Sequence, residues 1–366
     1  MRHRDELSDY VHRPIFRHVL YDRQESYNTC HEMSPNLRAL MQVVNSMDIH
    51  QDPYVLGLRD DLQRRPPGPD RQRIDQKLSK IISKKSSYTH KGLQDFLNTA
   101  RDICYDLGPW AADWYIQEVI KHALESASPY RDIVTLWQRK EKTYLLEHLD
   151  KIAFTPVSYD PAVIDSRISA KLRVLIHALE EEKARSESFN EPYSGLIFVT
   201  RRDAVLALST VLEYHPRTRG IFRLGTLIGS SDSSYRNTLL DVTRKILKEP
   251  HAVTLADFRT GEKNLVVATS VAEEGLDIQA CGNVIRWDIP PNMASWTQSR
   301  GRARKKRSSF VLMFEPGFDD VRIEQFKALE DEMVALYKKE RKKVEVVESM
   351  EIDDDEDCVF RVESTG

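Results

Sequence analysis

The side chains best suited to chemistry on phosphate lie in residues 265–314. Thr269 and Ser270 close an apolar run, LVVATS, and Glu273, Glu274, Gly275 and Asp277 follow them. Hydroxyls and backbone N–H groups at the end of an apolar strand are one way an α/β protein holds phosphate oxygens. Gly275, without a Cβ, lets backbone approach a ligand, and Asp277 can accept from a ribose hydroxyl. Further on, Arg300, Arg302, Arg304, Lys305, Lys306 and Arg307 put six positive charges into eight residues. Guanidinium is always charged and bonds phosphate bidentately, so the cluster suits a polyanion. Gln298 and Arg302 are four apart, which on a helix places them on one face, with Gly301 on the neighbouring turn. An arginine from this run that reached a γ-phosphate on a neighbouring domain would be an arginine finger, worth roughly 10³–10⁵ in rate.

These residues need a scaffold, and the pattern from Gly195 onward supplies one. GLIFVT (195–200), GIFRLGTLIG (220–229), LVVATS (265–270), NVIRWDI (283–289) and SSFVLMF (308–314) read as strands. Between them, Ala204, Leu208, Val211 and Leu212, and then Tyr235, Leu239, Val242 and Ile246, recur at helical spacing. Continuous apolar strands separated by amphipathic helices imply a parallel sheet covered on both faces. Ligands of such sheets bind at the carboxyl ends of the strands. Thr200, Gly229–Ser230 and Thr269–Ser270 all end strands and should therefore line one rim.

Upstream, residues 35–155 read as all-helical. Leu93, Phe96, Leu97, Ala100, Ile103, Cys104 and Leu107 mark one helix face, Gly108 and Pro109 interrupt it, and Val119, Ile120, Ala123 and Leu124 mark the next. Leu136, Trp137, Leu145, Leu146 and Leu149 suggest a further helix, and the Pro66–Pro69 stretch a loop flanked by arginines. A bundle with solvated charges accounts for this region, and Trp110, Trp114 and Trp137 are better suited to its core than to a ligand cage. Asp160–Pro161 has the form of an N-cap and first helical residue, with Ile168, Leu172, Leu175, Ile176 and Leu179 as the buried face that follows. Residues 1–30 show no periodicity. Phe326, Leu329, Met333, Leu336 and Tyr337 form a helical face that turns basic at Lys338–Lys343, and an acidic run lies at Asp353–Asp357.

The chain has 366 residues, 40% apolar content and a formal charge of −3, which leaves room for two or three domains and excludes a uniformly basic protein. Its four cysteines stand far apart, arguing against a zinc cluster or disulfide framework and for a reducing, cytoplasmic or nuclear compartment. No apolar run approaches the ~20 residues of a membrane span, and the basic, polar N-terminus is not a signal peptide.

VATSVAEEGLDI followed by QSRGRAR resembles motifs V and VI of superfamily-two RNA helicases, in the version carried by Dicer and the antiviral RNA sensors. FVTRRDAV resembles their motif IV, and LIGSS their next RNA-contacting element. The helical region before motif IV resembles the insertion these helicases carry in the second RecA-like domain. VHRP near the start resembles the segment leaving the first RecA-like domain of fungal Dicer-like proteins, and FRVESTG the opening of Dicer's dimerisation domain. The implied fold is a RecA-like α/β domain, with a parallel sheet and helices on both faces, preceded by an all-α insertion. The implied division is 1–34 as a remnant, 35–155 as the insert, 156–318 as the RecA-like domain, 319–352 as a pincer-like helix and 353–366 as linker and truncated next domain.

By position, the resemblance assigns Thr200, Arg201, Ser230, Thr269 and Ser270 to RNA, and Gly275, Asp277, Gln298 and Arg302 to ATP. Arg302 and Arg304 are both arginine-finger candidates, since GRAR is shorter than the GRTGR of many relatives. Double-stranded RNA, a first RecA-like domain and a protein bound to the insert are the implied partners. ATP would be shared with the first RecA-like domain, which would also hold Mg²⁺. No GxxxxGK[ST], DExH-type or ribonuclease III stretch occurs in the sequence, so the chain alone is expected to have neither ATPase nor nuclease activity. Two other readings remain: half of a different RNA-stimulated helicase, and a non-catalytic RNA- or protein-binding module. A dinucleotide-binding oxidoreductase has no GxGxxG to support it.

Overall fold

The structure is a computed structural model. It describes residues 14–23, 26–125, 139–229, 250–269, 278, 281–317, 321–333 and 335–336. Its centre is a six-stranded, all-parallel sheet in the order β1-β6-β5-β2-β4-β3. The strands are β1 (Ile15–Leu20), β2 (Gly195–Phe198), β3 (Leu224–Leu227), β4 (Leu265–Ala268), β5 (Asn283–Arg286) and β6 (Ser309–Phe314). Side chains alternate between two dry layers. Ile197, Val267, Ile285 and Val311 face one, and Leu196, Val266, Val284 and Phe310 face the other. That two-sided burial is why these strands read as unbroken apolar runs.

Five strands lie where the apolar runs predict them. The sixth, β1, falls within residues 1–34 and joins the edge beside β6, Ile15 opposite Ser309 through Leu20 opposite Phe314. Its sequence, IFRHVL, hides it: two polar residues sit mid-strand, and Ile15 and Leu20 are about half exposed. Arg17 is held by Glu181 and Glu182 at 2.7 and 2.5 Å, and the His18 ring stands edge-on to Phe314.

The helical insert comprises α1 (Pro35–Ser46), α2 (Pro53–Arg64), α3 (Pro69–Lys84), α4 (Tyr88–Leu107), α5 (Pro109–Glu125) and α6 (Arg139–Asp150), after a short 3₁₀ turn at Cys30–Met33. Proline occupies the first turn of α1, α2 and α3, where its missing N–H is no loss. Asp52 links two helices: it caps α2 through Tyr54 N and accepts from Ser87 and Thr89 at the start of α4. Trp110 and Trp114 are buried; Leu136 and Trp137 lie outside the described residues. The insert has no separate main core. Leu93, Phe96, Trp110 and Tyr115 belong to the same apolar cluster as Ile197, Val205 and Val311, so the bundle covers one face of the sheet.

The helix expected from Pro161 onward is two helices, α7 (Pro161–Ser166) and α8 (Ala170–Ser188). The intervening backbone serves the insert: Arg167 O accepts from Trp110 N, and Ser169 N donates to Leu107 O at 3.0 Å. Ser169 Oγ then caps α8 by accepting from Leu172 N. Helices α9 (Arg202–Tyr214), α10 (His251–Thr260) and α11 (Met293–Arg300) complete the described layers, with residues 321–333 helical beyond β6. The helix predicted over Tyr235–Ile246 lies outside the described residues. No described helix is long and apolar enough to cross a membrane.

Candidate functional site

Because every strand runs the same way, the sheet has a carboxyl rim and an amino rim, about 13 Å apart for four-residue strands. The predicted residues divide between them. Thr200 and Arg201 follow β2, and Thr269 follows β4, so these three sit at the carboxyl rim. Thr269 N donates to Leu227 O at 3.0 Å, and its hydroxyl accepts from Gly229 N at 3.2 Å. The ends of β3 and β4 are thereby tied together, and Thr269 is buried. Thr200 is exposed, and its N–H donates to Asp288 Oδ2 at 2.8 Å. Ser230, Ser270, Gly275 and Asp277 lie outside the described residues.

Arg201 does not project freely from this rim. Its guanidinium is bonded to Asp102 of α4 and to Asp203 of α9, at 2.6 Å for the second. Behind it lies a cavity of about 450 Å³ between α4 and the sheet end, with Arg23, Asp106, Lys171 and Asp288 in its wall. Lys171 is 3% exposed, sits 4.2 Å from the Trp287 ring centroid, and reaches Asp288 at 3.4 Å and Asp106 at 3.8 Å. Arg23 pairs with Asp106 at 2.9 Å and lies over the Tyr105 ring. Burial lowers the Arg23 pKa, but Asp106 and Tyr21 outweigh it and hold the guanidinium above its usual value. Asp102, Asp288 and Lys171 escaped the sequence reading. Asp288 carried the same signal as Thr200, a polar residue closing an apolar strand. Lys171 had none, being one charge on a helix otherwise read by its leucines.

From the carboxyl end of β5, α11 starts at the Asn292 cap, whose Oδ1 accepts from Ser295 N, and runs back along the sheet to the amino rim. Its far end is tied to the start of β5: Cys281 N donates to Arg302 O at 3.0 Å, and Lys305 N to Cys281 O at 3.4 Å. The helix ends at Arg300, so Arg302 lies in the following turn, and the helical face it was expected to share with Gln298 is not formed. Gly301 has ordinary right-handed backbone, and a Cβ there would stand 3.2 Å from Thr297 O. Ile278, next after Asp277, is buried in the same cluster as Trp296 and Ala303, which brings the two halves of the 265–314 stretch together.

The six-charge run is not uniform. Arg300 is paired with Glu330, and Arg307 stacks 4.2 Å from the Phe189 ring centroid. Arg304 is exposed and donates through Nε to Gly301 O at 2.6 Å, while Arg302 is half-buried. Burial pushes the Cys281 thiol up to about 12, while Lys305, Arg302 and Arg304 pull it the other way. Those three cations therefore cluster around the start of β5.

Residues 170–307 match the family of the helicase conserved C-terminal domain. The match runs from the start of α8 to the turn before β6, over the parallel sheet and its covering helices, and the helical insert lies ahead of it. The chain is 34% identical over 360 residues to Dicer-like protein 2 of Aspergillus fumigatus, covering 97% of this chain and 24% of that protein. To Dicer-like protein 2 of Aspergillus terreus it is 33% identical over 366 residues, covering 100% and 25%. It is thus a homologue of one segment of the fungal Dicer-like proteins, spanning about a quarter of the length of these curated relatives. The crystal structure of the Pyrococcus furiosus Hef helicase domain aligns loosely, at TM-score 0.39 and 18% identity over 88% of this chain and 60% of that one.

Proposed function

We propose that this chain is the second RecA-like half, with its insert, of an RNA-stimulated ATPase within a Dicer-like protein, acting on double-stranded RNA in RNA silencing and antiviral defence. The observation that carries this reading is the separation made by α11, with strand-ending hydroxyls at one rim and, at the other, a basic turn whose Arg302 carbonyl and Lys305 N–H bond Cys281 just before β5.

The carboxyl rim meets the RNA backbone. Thr200 and Thr269, with the neighbouring Ser230 and Ser270, are donors suited to phosphate oxygens, and Arg201 adds charge where it can leave Asp102. Contacts of this kind read A-form shape and phosphate and carry little sequence information.

The amino rim meets ATP held, with Mg²⁺, by a first RecA-like domain. The donor set fits a polyphosphate: among the described residues, Arg304 takes part in no ion pair, and Lys305 and Arg302 stand beside it. Bound ATP supplies the phosphoanhydride whose cleavage drives the cycle. With ATP bound, Arg302 and Arg304 would neutralise charge on its phosphates, Gln298 would help orient it, and Gly275 and Asp277 would face the nucleoside. The motion this couples to is clamping or translocation on the duplex.

The test is a titration of the chain with duplex RNAs of unrelated sequence. Binding should be weak, indifferent to sequence and steeply salt-dependent. Thr200→Ala with Arg201→Ala should lower affinity about tenfold, and Arg304→Ala should leave it unchanged. Joined to a first RecA-like domain from a relative, Arg302→Ala or Arg304→Ala should lower RNA-stimulated ATP turnover about 10³-fold. ATP turnover by the 366-residue chain alone, abolished by Arg302→Ala, would overturn the reading.

A further inference from the structure

Away from both rims, a groove of about 700 Å³ runs between α5, α9 and the outer edge of β3. Among the described residues β3 is the last strand of the sheet, paired on one side with β4. Arg223 O and Leu227 O accept from β4-side N–H groups. Backbone groups alternate along a strand, so Leu224 and Thr226 turn their N–H and C=O outward, into the groove. The edge closes at Ile228, whose N–H donates to His251 Nε2 at 3.2 Å. An open row of alternating donors and acceptors is a template for an added strand.

The facing wall is aromatic and acidic. Tyr159 and Tyr214 meet edge to face at 4.8 Å, and Trp114 lies beside them. Glu118 and Glu213 flank the same spot: burial raises the Tyr159 phenol pKa, and both carboxylates, with Tyr214, push it the same way. Glu118 Oε2 lies 3.7 Å from His122 Nδ1, and no ion pair among the described residues includes Glu213. Of the groove's cations, Arg223 is turned away, donating to the carbonyls of Gly261 and Glu262, and Lys121 is exposed. Ring faces beside paired carboxylates are favourable for a cation and unfavourable for a phosphate.

We propose that this groove docks an extended segment of a partner protein, which adds as a strand to β3 and seats a lysine or arginine between Tyr159, Tyr214, Glu118 and Glu213. The backbone edge supplies affinity, and the aromatic-acidic wall selects the basic side chain. One wall is the insert's α5 and the other is the RecA-like sheet, so the segment bridges both. The proposal is independent of RNA or ATP binding.

The experiment titrates the full chain with a fluorescein-labelled, capped peptide of alternating valine and lysine. Two control peptides accompany it: one with glutamate for lysine, and one with the lysine sequence N-methylated at every second amide. The lysine peptide should bind, and the glutamate and N-methylated peptides should bind at least about tenfold more weakly. A Glu118→Gln, Glu213→Gln double variant should show a similar loss. The N-methylated peptide tests strand addition without altering the protein, so a misfolded variant leaves the proposal testable. Failure of the lysine peptide to bind, equal binding of either control, or displacement by a short RNA duplex would each overturn it.

Discussion

Arg201 and Asp102 form an ion pair that joins the carboxyl rim of the sheet to helix α4 of the insert. Both side chains are about one-third exposed, so the pair adds little to stability, roughly 0–1 kcal/mol. Its consequence is for RNA. To reach a phosphate, the Arg201 guanidinium must leave Asp102, and Asp203 is then its remaining carboxylate. Asp102→Asn should therefore tighten duplex binding about two- to fivefold, while Arg201→Ala weakens it. Anisotropy titrations of both variants decide the point: affinities equal to the parent's would remove Arg201 from the RNA surface.

Lys171 links three elements through its ammonium: Asp106 of α4, Asp288 at the end of β5, and through Asp288 the N–H of Thr200. Lys171→Met keeps much of the volume but takes the ammonium from between two carboxylates, of which Asp106 keeps Arg23 and Asp288 is left to repel it. Asp106 and Asp288 are 24% and 27% exposed, so solvent softens the repulsion. The expected loss is about 2–3 kcal/mol in urea unfolding, below the fully buried case. A midpoint unchanged from the parent's would show that the ammonium does not hold this junction.

How much of this was legible beforehand depends on range. Strands with two buried faces declare themselves, and so does the α4–α5 break at Gly108 and Pro109, because the signals are local. Strand β1 did not, since Arg17 makes sense only when Glu181 and Glu182 of α8 lie opposite. The break between α7 and α8 was hidden for the same reason: Arg167 and Ser169 bond to residues some sixty positions earlier. At the site, residue types and strand ends found Thr200 and Thr269. The commitment of Arg201 to Asp102, and the placing of Arg302 beyond the end of α11, depend on tertiary contacts that spacing does not encode.

Gly108 is the covalent joint of those contacts. Its φ of +106° lies in the region that favours glycine, and a Cβ there would meet Arg167 O and Ser169 N at 2.6 Å and Ile168 Cα at 2.7 Å. All three are backbone, so no side chain can swing aside. Gly108→Ala should destabilise the chain by about 3 kcal/mol or more, through strain and through separation of the insert from α8. Chemical denaturation monitored by tryptophan fluorescence should show a lower midpoint. Gly57→Ala, a helical position where nothing lies within 4 Å of the added Cβ, should be neutral or slightly stabilising and serves as the control.

His215 makes stability depend on pH. Its side chain is fully buried; Nδ1 accepts from Arg217 N at 3.3 Å, and Nε2 lies 3.1 Å from Asp165 Oδ1. That bonding set assigns the neutral ring, with its proton on Nε2 donating to Asp165. A second proton on Nδ1 would face the N–H of Arg217. Burial lowers the pKa from its usual 6.5, and Asp165 only partly offsets the effect. In the unfolded chain the ring titrates near 6.5, so below that pH the unfolded state binds the extra proton first. The stabilisation is complete above 6.5 and is lost as pH falls toward the lower folded value. Thermal melts from about pH 8 down to about pH 5 should show a falling midpoint, with a shallower fall in His215→Gln even though that variant starts lower. Parallel curves for the two proteins would mean that His215 takes up its proton equally well folded and unfolded.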